Sequence, residues 1–241
     1  MAPSRVTPSE PAVARYAIYV APPAETALWR IACDWLGRDP EQPGEIAPQG
    51  ISGVAPDRHA AMVAEARRYG FHGTLKPPFA LADGIAADDL AVALEDFAAG
   101  RPGLPPIAMQ VASIGGFLAV IPAQPAPALH DLADAAVEIF DRFRAPPSAA
   151  ELARRRQKGL SPVQDANLAR WGYPYVFEEF RFHMTLTERL AQPEREFVLS
   201  GLRRRFSAAL EAPVHLEGLA LFGEPAAGEP FRLLRRFRFA S

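Results

Sequence analysis

A five-residue pattern, Phe-His-x-Thr-Leu, occurs twice in this chain, as FHGTL from Phe71 to Leu75 and as FHMTL from Phe182 to Leu186. The two histidines stand 111 residues apart in a chain with only five His and five Thr. Random placement would put Thr two residues after His roughly 0.1 times, so a pair with matching flanks points to a repeated unit. The surroundings repeat as well. RYAIYV (Arg15 to Val20) is β-branched and aromatic enough for a strand, Pro22 and Pro23 stop it, and a helix follows over AETALWRIACDWLG. From Phe117, FLAVIPAQPAPALHDLADAAVEIF runs through the same strand, proline stop and amphipathic helix.

Each half therefore reads strand, helix, His-x-Thr strand, helix, strand, with one further strand at the end of the second. A duplication of this kind predicts an α+β fold with two lobes related by a pseudo-two-fold axis. Antiparallel sheets, helices outside them and a central cleft are expected. Residues 1–14 read as a disordered tail and 15–241 as one bilobal domain. Lobe one is about 15–114 and lobe two about 115–241, the second carrying an insertion over 144–176. A chain of 241 residues with 49% hydrophobic content can bury such a core.

Composition narrows the function classes. A formal net charge of −2 argues against strong non-specific nucleic-acid binding, although local basic patches remain open. Cys33 is the only cysteine, which excludes an intrachain disulfide and a cysteine-cluster metal site. No apolar run approaches the ~20 residues of a membrane span, and the first residues lack the apolar core of a signal peptide. The expectation is a cytoplasmic protein with no membrane association and no evident need for a protein partner.

Alternation along a strand places His72, Thr74 and Lys76 on one face, and Arg181, His183, Thr185 and Thr187 on one face of the second motif. If the repeat axis sets these strands side by side, the polar faces line one cleft. Two imidazoles on opposite sides of a phosphodiester can act as base and acid near neutrality. Threonine hydroxyls can donate to the non-bridging oxygens, with Lys76 and Arg181 adding charge. No cofactor or metal is needed for this chemistry. Lys76 has a competing reading as a rim charge turned outward by Pro77 and Pro78, and Arg181 as a surface salt bridge. His59, His130 and His215 read as solvent-facing and share no metal-ligand spacing. Trp171-Gly172-Tyr173-Pro174-Tyr175 reads as packing for the insertion or as a cover for a substrate base or sugar, with packing favoured.

The paired motifs resemble the 2H phosphoesterase superfamily, which includes 2′-5′ RNA ligases and cyclic phosphodiesterases. RYGFHGTLKPPF, FRAPPSAAELARRR and WGYPYVFEEFRFHMTLT resemble more narrowly a bacterial branch of phosphonate metabolism proteins. The resemblance implies catalytic roles for His72 and His183 and phosphate binding by Thr74 and Thr185. Gly73 departs from the larger residue usual between His and Thr, a position facing away from the cleft. The expected substrate is a small cyclic phosphate or nucleotide-like phosphodiester. The alternatives are an RNA end, ligated 2′-5′ or opened from a 2′,3′-cyclic phosphate, and a module that binds a nucleotide or RNA end without turnover.

Overall fold

The computed structural model describes residues 13–240 apart from Pro43, Glu45 and Lys158. Nearly all of the expected tail lies outside these residues. The strands are β1 (Arg15–Val20), β2 (Gly73–Phe79), β3 (Met109–Ile114), β4 (Phe117–Pro122), β5 (Met184–Arg189), β6 (Gly218–Glu224) and β7 (Arg232–Arg238). The helices are α1 (Ala27–Leu36), α2 (Pro56–Tyr69), α3 (Ala87–Ala99), α4 (Pro127–Ile139), α5 (Ala149–Arg156), α6 (Pro162–Trp171) and α7 (Glu194–Phe206). The fold is α+β, with an antiparallel sheet and helices around it.

Local chemistry sets the helix ends. Thr26 caps α1 by accepting from the Trp29 N–H at 3.2 Å, and Gly37 ends it in the left-handed region at φ 67°. Ser148 and Glu151 form a capping box at α5, as do Ser161 and Gln164 at α6, where Pro162 occupies the first turn. α2 runs fourteen residues from Pro56. Its buried face is His59, Met62, Val63 and Ala66, a helical spacing, and it packs on β5. His59 is therefore core and not solvent-facing, with its ring 4.2 Å from that of Trp35.

All seven strands form one sheet in the order β3-β4-β5-β2-β1-β6-β7, where two sheets were expected. The two His-x-Thr strands, β2 and β5, are central and joined by a single bridge, Gly73 to Met184. Sequence halves and spatial halves differ. β3 crosses to pair with β4, and β6 with β7 crosses to pair with β1. Helices cross likewise, α2 lying on β5 and α4 on β2. One hydrophobic core runs beneath the whole sheet, with Trp29, Trp35, Phe71, Phe140, Phe206 and Phe222 fully buried.

Two register shifts decide which side chains face out. Tyr19 pairs with Thr74 but Ile18 pairs with Lys76, so β2 carries an extra residue, Leu75, against β1. Ala119 pairs with Thr185 but Phe117 pairs with Arg189, so four steps of β5 match two of β4. One extra residue flips the face of the side chains beyond it, whereas two disturb only the residues between and restore the face after them.

Candidate active site

The site is built around the Gly73–Met184 bridge. In an antiparallel pair centred there, His72 lies opposite Thr185 and Thr74 opposite His183, all four on one face. Opposite pairs have Cβ atoms ~4.5–5.5 Å apart, which leaves the two histidines on a diagonal of roughly 7–8 Å. No Cβ fits at Gly73. One built there would collide with the Phe182 ring and press on Val20. The missing side chain thus lets Phe182 pack under the joint between the two motifs.

Both imidazoles are anchored alike. His72 Nδ1 lies 2.9 Å from the carbonyl oxygen of Gly70, and His183 Nδ1 lies 2.6 Å from that of Arg181. A carbonyl only accepts, so each Nδ1 carries the proton and each neutral Nε2 is left as the acceptor. The Thr74 hydroxyl stands 3.2 Å from His72 Nε2 and can donate to it. His72 also stacks on Tyr19, with ring centroids 3.7 Å apart. Burial, then repulsion from His183, pulls His72 down to about 4 against the lift from the Gly70 carbonyl. Burial lowers His183 as well.

A cavity of about 460 Å³ opens on this face, bordered by Thr74, His183, Arg181, Arg189, Tyr173 and Tyr175 among others. His72 and Thr185 do not border it, and His72 reaches it through Thr74. The aromatic pair Tyr173 and Tyr175, in T-shaped contact at 5.6 Å, belongs to the 144–176 insertion, and so do Gln164 and Val176 of the same wall. The Trp171–Tyr175 stretch thus packs within the insertion and also borders the cavity. Trp171 packs edge-on against Phe177 at 5.3 Å, while the tyrosines face the cavity.

The structure moves two expected cleft residues into the core. Lys76 is 2% exposed, and its Nζ donates to the Val137 carbonyl at 3.1 Å and to Asp141 Oδ1 at 3.3 Å. It is neither a phosphate ligand nor a rim charge, because the extra Leu75 turns it onto the α4 side. Burial lowers its ammonium to about 8 against the pull of Asp141. Thr187, 1% exposed, accepts from the Leu118 N–H at 3.0 Å, turned inward by the β5 bulge. Arg181 remains exposed in the cavity wall, without an ion-pair partner among the described residues. Alternation puts Arg189 on the same face as His183 and Thr185, where it borders the cavity, but the sequence reading stopped at Thr187. His130 and His215 are exposed, as expected. Among the described residues no group of three or more His, Cys, Asp and Glu is placed to hold a metal ion.

Fold and cleft define an α+β chain whose paired histidines share one concave face. Residues 74–232 match the family model described as "Protein of unknown function (DUF1045)", and the chain belongs to that family. It is 35% identical over 236 residues to a Janthinobacterium sp. (strain Marseille) protein named ribose 1,5-bisphosphate phosphokinase PhnN, covering 96% of this chain and 52% of that one. It is 40% identical over 222 residues to the protein of the same name from Laribacter hongkongensis (strain HLHK9), covering 92% and 51%. The chain spans about half the length of these curated relatives. Among solved structures it is similar to an E. coli LigT complexed with ATP, with 15% identity, TM-score 0.38, and 95% of this chain and 100% of that one covered. It is also similar to a phosphoesterase, with 16% identity, TM-score 0.41 and the same coverage.

Proposed function

We propose that this chain is a phosphoesterase that opens a phosphodiester on a ribose by two-histidine acid–base catalysis. The observation that carries the reading is the matched anchoring of His72 and His183. Each Nδ1 is fixed on the carbonyl two residues back, which leaves each Nε2 as the nitrogen that takes up or gives a proton, on one face across a single bridge. A phosphate between them would take the Thr74 hydroxyl from His72 Nε2 and accept from Thr74 and Thr185. His72, the more strongly depressed, is assigned the base. It removes a proton from water as the oxygen attacks phosphorus, the phosphorus–oxygen ester bond breaks, and protonated His183 gives its proton to the departing alkoxide. Arg181 adds a charge-assisted contact to the phosphate. A duplicated origin for the two motifs is supported by the strand order, which matches β5 with β2, β4 with β1 and β3 with β6 about the central joint.

The aromatic wall of Tyr173 and Tyr175 favours a base-bearing substrate, either a nucleoside cyclic phosphate or an RNA 3′ end. A second reading, a bare ribose cyclic phosphate, draws on the relatives' name, since opening such a ring yields a ribose phosphate. We place the phosphokinase activity of that name in the half of those proteins that this chain does not span. Neither lysine here, Lys76 or Lys158, stands in a Gly-Lys-Ser/Thr phosphate loop.

The test is a panel of nucleoside and ribose cyclic phosphates and 2′,3′-cyclic-ended RNA, each with and without EDTA. Turnover of at least one class, undiminished by the chelator, is expected. No turnover, or activity lost to EDTA and restored by a divalent ion, would overturn the mechanism.

A further inference from the structure

Between Ile114 and Phe117, which border the cavity, the turn Gly115-Gly116 joins β3 to β4 just outside its lining and holds φ of 56° and 96°, a region that favours glycine. Two guanidinium groups converge on it. A Cβ built at Gly116 would stand 3.5 Å from Arg195 Nη1 and 3.8 Å from Arg189 Nη1. Arg189 also donates through Nη1 to the Gly115 carbonyl. The neighbouring carboxylates on β5 and α7 are engaged elsewhere. Arg58 takes Glu188 at 2.7 Å and Glu194 at 2.6 Å, and Gln192 donates to Glu196 at 3.0 Å. Among the described residues neither Arg189 nor Arg195 has a carboxylate partner, so two like charges share a corner without a counter-ion.

The β5 bulge sets the distance from the motif. Because Thr185 and Arg189 are matched to Ala119 and Phe117, they are separated by two residues' rise, about 7 Å, instead of four. Phe117 lies between, its ring 5.3 Å from that of His183. Arg189 thus borders the same cavity as His183 and Thr74.

We infer that Arg189 and Arg195, converging on the Gly115-Gly116 turn, form a second anion subsite for a phosphate group that the substrate carries besides the one being cleaved. A guanidinium offers five donors, and Arg189 commits one of its own to Gly115. The substrate class is then a ribose phosphodiester with a terminal phosphomonoester. This rests on the proposed phosphodiester chemistry and names its specificity.

The experiment compares adenosine 2′,3′-cyclic phosphate with its 5′-phosphorylated form, using wild type, Arg189→Gln and Arg189→Gln/Arg195→Gln. Wild type should prefer the doubly phosphorylated substrate in kcat/KM by about tenfold or more. Arg189→Gln should lose roughly 10- to 100-fold more on that substrate than on the other, and the double variant more still. Titration calorimetry with adenosine 3′,5′-bisphosphate and 3′-AMP gives a readout independent of turnover. The bisphosphate should bind more tightly to wild type, and the difference should shrink in the variants. Equal losses on both substrates, or equal affinities for both ligands in wild type, overturn the subsite. Should wild type turn over neither substrate, the phosphodiesterase reading fails and the calorimetry alone decides the subsite.

Discussion

The His72 ring is fixed by Gly70 on one nitrogen, Thr74 on the other and Tyr19 on its face. That degree of support suits a group whose job depends on the direction of one lone pair. Gly73 is as tightly constrained. Adding a methyl there forces the buried Phe182 ring to move, and overpacking of this sort costs about 1–3 kcal/mol. Gly73→Ala should therefore lower the melting temperature and weaken the β2–β5 joint. A melting curve matching wild type would show that the space beneath the joint is not filled as described.

The elements show why part of the site was readable and part was not. His72, Thr74, His183 and Thr185 fell where alternation put them, because all four lie within one residue of the bridge that ties β2 to β5. Lys76 lies beyond the extra residue of β2 and Thr187 within the irregular stretch of β5, so both leave the face that alternation gives them, while two extra residues return Arg189 to it. No proline or glycine marks the stretch after Thr185, while in β2 Gly73 and Pro77-Pro78 signal an irregular strand without saying which residue is extra. Gly37 ends α1 where the sequence reading stopped it, and Thr26, Ser148, Ser161 and Gly172 cap or end helices by the same kind of local chemistry. His59 was misplaced because it stands in the first turn of α2, on the face that packs against Trp35. The insertion is held to the body through Asp141, which pairs with Lys76 and also takes Arg144 at 2.9 Å and Arg170 at 3.3 Å. Replacing residues 144–176 with a short linker should leave the core folded and remove the tyrosine wall. Relative rates among nucleoside, ribose and RNA substrates should change, and an unaltered ranking would make the insertion a structural appendage.

On the scale of the molecule, interleaving makes the site depend on the whole chain. Each His-x-Thr strand lies over helices from the other half of the sequence, and β6 and β7 close the far edge beside β1. The buried Glu224 fastens that edge. Burial raises its carboxyl, but Arg15, the Gly228 N–H and Arg68 outweigh this and hold it at about 2. This architecture brings the two imidazoles together on one face. The reaction needs His72 neutral and His183 protonated, and both are depressed. The pair should therefore give a bell in kcat/KM with its acid limb near 4 and its alkaline limb below the ordinary histidine value of about 6.5. The decisive measurement is the pH–rate profile of wild type, His72→Ala and His183→Ala on a cleavable ribose phosphodiester. Wild type should give that bell, and each variant should lose about 10²–10⁴ in rate together with one limb of it. Near-wild-type rates in either variant, or a flat wild-type profile between pH 4 and 8, would contradict two-histidine catalysis.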